Sequence, residues 1–202
     1  MLFGTILVVH DWPESQELNA QLAQLLLEKE KKSDSQGMHR SNAGGWQSSG
    51  NLITWNEPSV KELKTRIETL VFNLTDQIIR DEGKQRQFRL IIDAWGNINR
   101  DGDYNVVHTH PNCMWSGVYY VTEGNPDPSR PQNGLLELID PRESANYIQV
   151  KNTILDARQF VENVPGRMIL WPSWLKHMVH PYKGSEERIS IAYNVTVVEE
   201  TL

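Results

Sequence analysis

The rhythm of apolar and polar positions changes once along this chain and divides it into two parts. From Glu14 to Lys32 the apolar positions follow a helical period. Leu18, Leu22, Leu25 and Leu26 share one face, and the charged run Glu28 to Lys32 lies on the exposed side. A second stripe, Val60, Leu63, Ile67, Leu70, Val71, Leu74 and Ile78, predicts a helix starting at Pro58 or Ser59. Ser59 is its expected N-cap, with Glu62 three residues on, and Asp81-Glu82-Gly83 its expected stop. The polar stretch between the helices contains Gly44-Gly45, which argues against a regular element there. The opening MLFGTILVV reads as a strand.

Beyond Gln87 the period shortens to two. Phe88 to Trp95, Trp115 to Thr122, Gly134 to Ile139, Arg167 to Trp171 and Arg188 to Val198 are short runs rich in β-branched and aromatic residues. Turn signals separate them at Arg100-Asp101-Gly102, Asn125 to Asn133, Pro165-Gly166 and Lys183-Gly184. Strands this close, without helices between them, predict an antiparallel barrel or jelly roll. The expected organisation is one domain over residues 1–202, mainly β with N-terminal helices: 1–86 helical, packing on a barrel formed by 87–202.

Composition narrows the partners. The 202 residues carry a formal net charge of −6, which disfavours nucleic acid or an anionic membrane surface as a partner. The opening apolar run has no basic flank or cleavage site and is far shorter than the ~20 residues of a membrane span. Cys113 is the single cysteine, so a disulfide framework is excluded and a reducing, cytoplasmic setting is expected. Cys113 itself reads as inert packing.

Six histidines carry the candidate chemistry: His10, His39, His108, His110, His177 and His180. In a strand, His108 and His110 point to one face, an economical way to present two imidazoles to a divalent metal. His177 and His180 differ by three, so only one of them can join that face. In the last strand Arg188, Ser190 and Asn194 share a face, while Ile189, Ile191 and Tyr193 share the other. An arginine on a barrel face needs an anion, either a bound carboxylate clamped by Arg188 and Ser190 or a neighbouring Asp or Glu.

The blocks WGNINRDGDYNVVHTHPNCMWSGVYYV, GLLELIDPR, WPSWLKHMVHPY and RISIAYN, together with RSNAGGWQS near residue 40, resemble the iron(II)- and 2-oxoglutarate-dependent oxygenases. The similarity covers residues ~87 to 198. It implies a double-stranded β-helix (jelly roll, cupin-like) that binds Fe(II) and uses 2-oxoglutarate and O2 to oxidise a substrate. His108 matches the first iron ligand and His177 the distal one. Arg188, eleven residues later, matches the residue that holds the far carboxylate of 2-oxoglutarate, with Ser190 its Arg-x-Ser partner. Most of the family has Asp or Glu where this chain has His110; either His110 completes the triad or a carboxylate such as Asp103 or Asp140 replaces it.

Of Tyr119 and Tyr120, which alternate faces, one turns inward to donate to the cosubstrate. Tyr119 is assigned that place, with Asn105 beside the metal strand; a turn-stabilising role suits Asn105 as well. Trp95, Trp115, Trp171 and Trp174 read as barrel packing, with Trp115 near enough to the histidine pair to wall a pocket, and Gly44-Gly45-Trp46 forms a lid or a connector. Two other activities are compatible with the histidines: a three-histidine zinc hydrolase or lyase, and a non-catalytic ligand-binding β-barrel. The expected partner is a small-molecule or peptide substrate, with a homodimer as the default assembly.

Overall fold

The computed structural model describes residues 4–33, 41–79, 87–143, 150, 153 and 156–200. Strand β1 (Val8–Asp11) leads into helix α1 (Gln16–Lys31). The miniature strands β2 (Asn42–Ala43) and β3 (Trp46–Gln47) and a 3-10 turn at Leu52–Thr54 precede helix α2 (Pro58–Ile79). The remaining strands are β4 (Gln87–Asn99), β5 (Tyr104–His108), β6 (Trp115–Thr122), β7 (Leu136–Ile139), β8 (Arg158–Val161), β9 (Arg167–Pro172), β10 (His177–Val179) and β11 (Arg188–Glu200).

Several expectations shift. Helix α2 begins at Pro58, whose missing N–H costs nothing in a first turn, so Ser59 lies inside the helix and is not its cap. The expected stop at Asp81-Glu82-Gly83 lies outside the described residues. Strands β5, β8 and β10 are three to five residues long, too short to show a period.

All pairings are antiparallel and form two sheets, β1-β9-β6-β11-β4-β3 and β2-β5-β10-β7-β8. Alternation gives the larger sheet an apolar outer face and an inner face that mixes apolar and polar side chains. Its outer face, with Ile98, Tyr119, Met168, Ile189, Ile191 and Tyr193, packs on Leu18, Leu22 and Leu26 of α1 and Leu63, Ile67 and Val71 of α2. Its inner face presents Val118, Tyr120, Ile169 and Trp171 to Leu136, Leu138, Val161 and Leu175. The two sheets thus enclose an interior, the jelly-roll arrangement, and the helices cover only the outside. No described helix is long and apolar enough to cross a membrane.

The glycine pair is a tight connector. Strand β2 pairs with β5 of the smaller sheet and β3 pairs with β4 of the larger, so Gly44-Gly45 turns the chain from one sheet into the other. Both glycines have positive φ, +74° and +66°. Downstream, Asn51 donates through Nδ2 to the Ile92 carbonyl (2.8 Å) and accepts at Oδ1 from the Ala94 N–H (3.0 Å). One side-chain amide thereby replaces a neighbouring strand along β4.

Candidate active site

Two histidines face each other across the β5–β10 pair. His177 is in register with His108 and Val179 with Asn105, so two residues of β5, Val106 and Val107, lie opposite Met178. This bulge turns Asn105 inward together with His108, where strict alternation would have turned Val106 inward. The Nδ1–H of His108 donates to the Val106 carbonyl (2.7 Å), and that of His177 to the Leu175 carbonyl (2.9 Å). Each bond fixes the tautomer that leaves the Nε2 lone pair free.

His110 lies just past the end of β5 rather than within it. Its backbone N–H donates to the Ser173 carbonyl (3.0 Å), tying this segment to the loop before β10. The rings converge: His108 and His177 centroids are 4.2 Å apart, His108 and His110 4.9 Å, and His110 and His177 5.1 Å. One nitrogen from each lies within 4.8 Å of the others. Trp171 packs edge-on against His177 (4.9 Å) and Trp95 lies 5.7 Å from His110. Burial pushes the His177 imidazole down to about 3, helped by the neighbouring His108, and burial also lowers His108, so both rings are neutral. His180 lies outside this group, its Nε2 hydrogen-bonded to the buried Glu137 carboxylate (2.6 Å).

The two alternative carboxylates are committed elsewhere. Asp103 accepts from the Arg100 backbone N–H (2.6 Å), and Asp140 is forked onto the Arg142 guanidinium (3.0 and 2.5 Å).

Deeper in the interior, on the larger sheet, Arg188 is only 2% exposed. Nη1 donates to Asn99 Oδ1 (3.3 Å) and Nη2 to Asn163 Oδ1 (3.1 Å), while Nε is buried without a partner. Among the described residues no carboxylate pairs with it, and burial presses its pKa below the usual arginine value. Ser190 is buried on the same face. The Tyr120 ring lies 5.4 Å from the guanidinium carbon, and its hydroxyl is buried without a partner.

One aromatic assignment needs correction. Tyr119 points to the outer face, where its hydroxyl donates to Asn19 Oδ1 of α1 (2.7 Å); Tyr120 is the inward tyrosine. Both were equal by alternation, and only the position of α1 decides between them. Trp115 is packing, as read, but in the helix-facing core; the tryptophans beside the histidines are Trp95 and Trp171. Asn105 faces inward, but its amide donates to Ser41 Oγ (3.2 Å).

The sequence profile of the family described as "Putative 2OG-Fe(II) oxygenase" matches residues 93–194, the stretch that carries the histidines and Arg188. The chain belongs to the 2OG-Fe(II) oxygenases. No curated protein matches the sequence of this oxygenase. Among solved structures, its fold is similar to that of a Pseudomonas putida prolyl-4-hydroxylase: TM-score 0.65, 16% identity, 96% of this chain and 92% of that one covered. A Trichoplax adhaerens prolyl hydroxylase, solved with a hypoxia inducible factor peptide fragment, gives 0.61 at 14% identity, covering 94% and 83%. The epimerase SnoN from nogalamycin biosynthesis gives 0.65 at 10% identity, covering 94% and 76%.

Iron(II) and 2-oxoglutarate are the cofactor and cosubstrate of the family, and the oxygenase's side chains fit both. Three imidazoles with converging nitrogens, His108 and His177 among them held neutral by burial, suit a divalent transition metal. A buried guanidinium with an unpaired Nε, beside an unpaired tyrosine hydroxyl, suits a carboxylate.

Proposed function

We propose that this enzyme oxidises a C–H bond of its substrate, with hydroxylation as the default outcome. His108, His110 and His177 hold the iron, and Arg188 holds the far carboxylate of 2-oxoglutarate. When bound, iron(II) and 2-oxoglutarate together activate O2 for C–H oxidation, with release of succinate and carbon dioxide.

The chain's own groups do the rest. The Val106 and Leu175 carbonyls keep the Nδ1 protons in place, so that His108 and His177 present Nε2. Asn99 and Asn163 aim the guanidinium without neutralising it, which preserves its full charge for the cosubstrate. The Tyr120 and Ser190 hydroxyls supply further donors to the same carboxylate. Val118, Ile169, Leu136 and Leu138 are buried in the same interior and exclude water from it, strengthening each polar contact.

The observation that carries this reading is the buried, acid-free Arg188 in the same interior as three converging imidazoles. A zinc hydrolase would leave that cation without a purpose. One structural neighbour is a prolyl hydroxylase solved with a peptide and another an epimerase from nogalamycin biosynthesis, which supports either a peptide or a small molecule as the substrate.

The test is an anaerobic visible titration with Fe(II) and 2-oxoglutarate, repeated on His177→Ala. A charge-transfer band that needs both additions and vanishes in the variant is expected. Stoichiometric zinc without any such band would overturn the proposal.

A further inference from the structure

The inner face of the larger sheet can be read row by row from its registers. Asn99 and Arg188 stand at one end. At the other, Asp93, Asn194, Ser116 and Trp171 lie side by side on β4, β11, β6 and β9. The two ends are six residues apart along β4, about 20 Å of strand. The far row lies at the metal end: Trp171 touches His177, and Trp95, two residues from Asp93 on the same face, touches His110.

This row is polar, and it is incomplete. Ser116 Oγ donates to Asn194 Oδ1 (2.8 Å), which fixes the amide and leaves its N–H2 group as a donor. Asp93 is half-buried, yet makes no ion pair or hydrogen bond among the described residues. The interior therefore has two unneutralised poles, Arg188 at the deep end and Asp93 at the metal end. A carboxylate beside the metal repels a second anion and gains most from a cation. The flanking Trp95 adds an aromatic face of the kind that cations favour.

We propose that Asp93, with Asn194 and Trp95, forms the substrate subsite of the enzyme and takes a cationic nitrogen group, an ammonium or a guanidinium. This rests on the oxygenase reading above. The cosubstrate dianion occupies the Arg188 pole, so charge alone sorts the two ligands to opposite ends. Asp93 is a specificity residue and takes no part in the oxidation.

The test uses the full chain loaded with Mn(II) and 2-oxoglutarate, and reads the paramagnetic relaxation of probe protons, which reports closeness to the metal. The probes are butylammonium against 1-pentanol, and acetyl-Gly-Lys-Gly-amide against its norleucine counterpart. The cationic member of a pair should bind about tenfold more tightly and relax faster. Asp93→Asn should abolish that preference while Mn(II) and 2-oxoglutarate still bind, and Asp93→Glu should retain part of it. Which pair responds separates a free amine from a peptide side chain. Equal binding of charged and neutral probes, or a preference that survives Asp93→Asn, overturns the subsite. A wild-type chain that binds neither Mn(II) nor 2-oxoglutarate overturns the oxygenase reading first.

Discussion

His108 and His177 stand directly opposite each other on β5 and β10, and each anchors its Nδ1 proton on the carbonyl two residues before it. The anchors make the pair rigid before any metal arrives. His108→Ala and His177→Ala should each weaken Fe(II) or Mn(II) binding by more than about 100-fold, since losing a ligand exceeds the 10- to 100-fold cost of losing an anchor. Competition against a chromophoric chelator measures this. Unchanged affinity in either variant would remove that histidine from the centre.

Arg188 is held by amides alone, so its charge contributes to ligand binding at some cost to the fold. Arg188→Met should lower 2-oxoglutarate affinity roughly 100-fold, in line with the loss of a buried charge-assisted contact. The ligand-free protein should melt no lower than the wild type, because an apolar side chain replaces an uncompensated buried cation. Calorimetric titration and thermal melting together check both halves.

The adjacent tyrosines should respond in opposite ways. Tyr119→Phe removes the bond to Asn19 and should destabilise the protein by about 1 kcal/mol without touching 2-oxoglutarate affinity. Tyr120→Phe removes a hydroxyl that has no partner in the fold, so it should leave stability unchanged and weaken 2-oxoglutarate binding several-fold. Denaturant midpoints and titration calorimetry distinguish them.

The turn that joins the sheets should tolerate no side chain. A Cβ on Gly44 would collide with Asp103 Oδ1, and one on Gly45 would meet the Ile98 carbonyl at 2.8 Å, both at positive φ. Gly44→Ala and Gly45→Ala should cost roughly 2–3 kcal/mol. Gly50→Ala, at φ +72° in open space, pays only for its backbone and should cost about 1 kcal/mol. Urea denaturation ranks the three.

Alkaline pH should unfold the protein through its interior tyrosines. Burial pushes Tyr120 up to about 12 and Tyr193 higher still. The unfolded chain ionises near pH 10, so it releases protons that the folded state retains, and stability falls as pH rises from 10 towards 12. Absorbance at 295 nm should show a late tyrosine phase that coincides with the loss of tertiary structure. Full ionisation by pH 10.5 in a still-folded protein would contradict this.

What was legible in the sequence follows from what alternation encodes. Arg188, Ser190 and Asn194 share a face because β11 is thirteen residues of unbroken strand, long enough to reveal its period. His108 and His177 were legible from their chemistry, since few residue types hold a metal. The choice between Tyr119 and Tyr120 was not, because both faces of β6 are buried and only the position of α1 distinguishes them. Asn105 was named, but the bulge that turns it inward was not readable: it reverses parity without leaving a composition signal. Strands β2 and β3 are two residues each, below any periodicity, and the glycines that seemed to forbid structure are what allows the chain to change sheets.

That crossing has a mechanical consequence. The Gly44-Gly45 link is two residues long, while the crossing from β8 to β9 spans 162–166, and its flanking strands are hydrogen-bonded to β5 and β4 at once. The barrel therefore resembles a bound book with its spine at these glycines. The strand that carries His108 is thereby tied, through two glycines, to the strand whose inner face carries Trp95 and Asn99, so one short turn couples the metal end of the smaller sheet to the larger one.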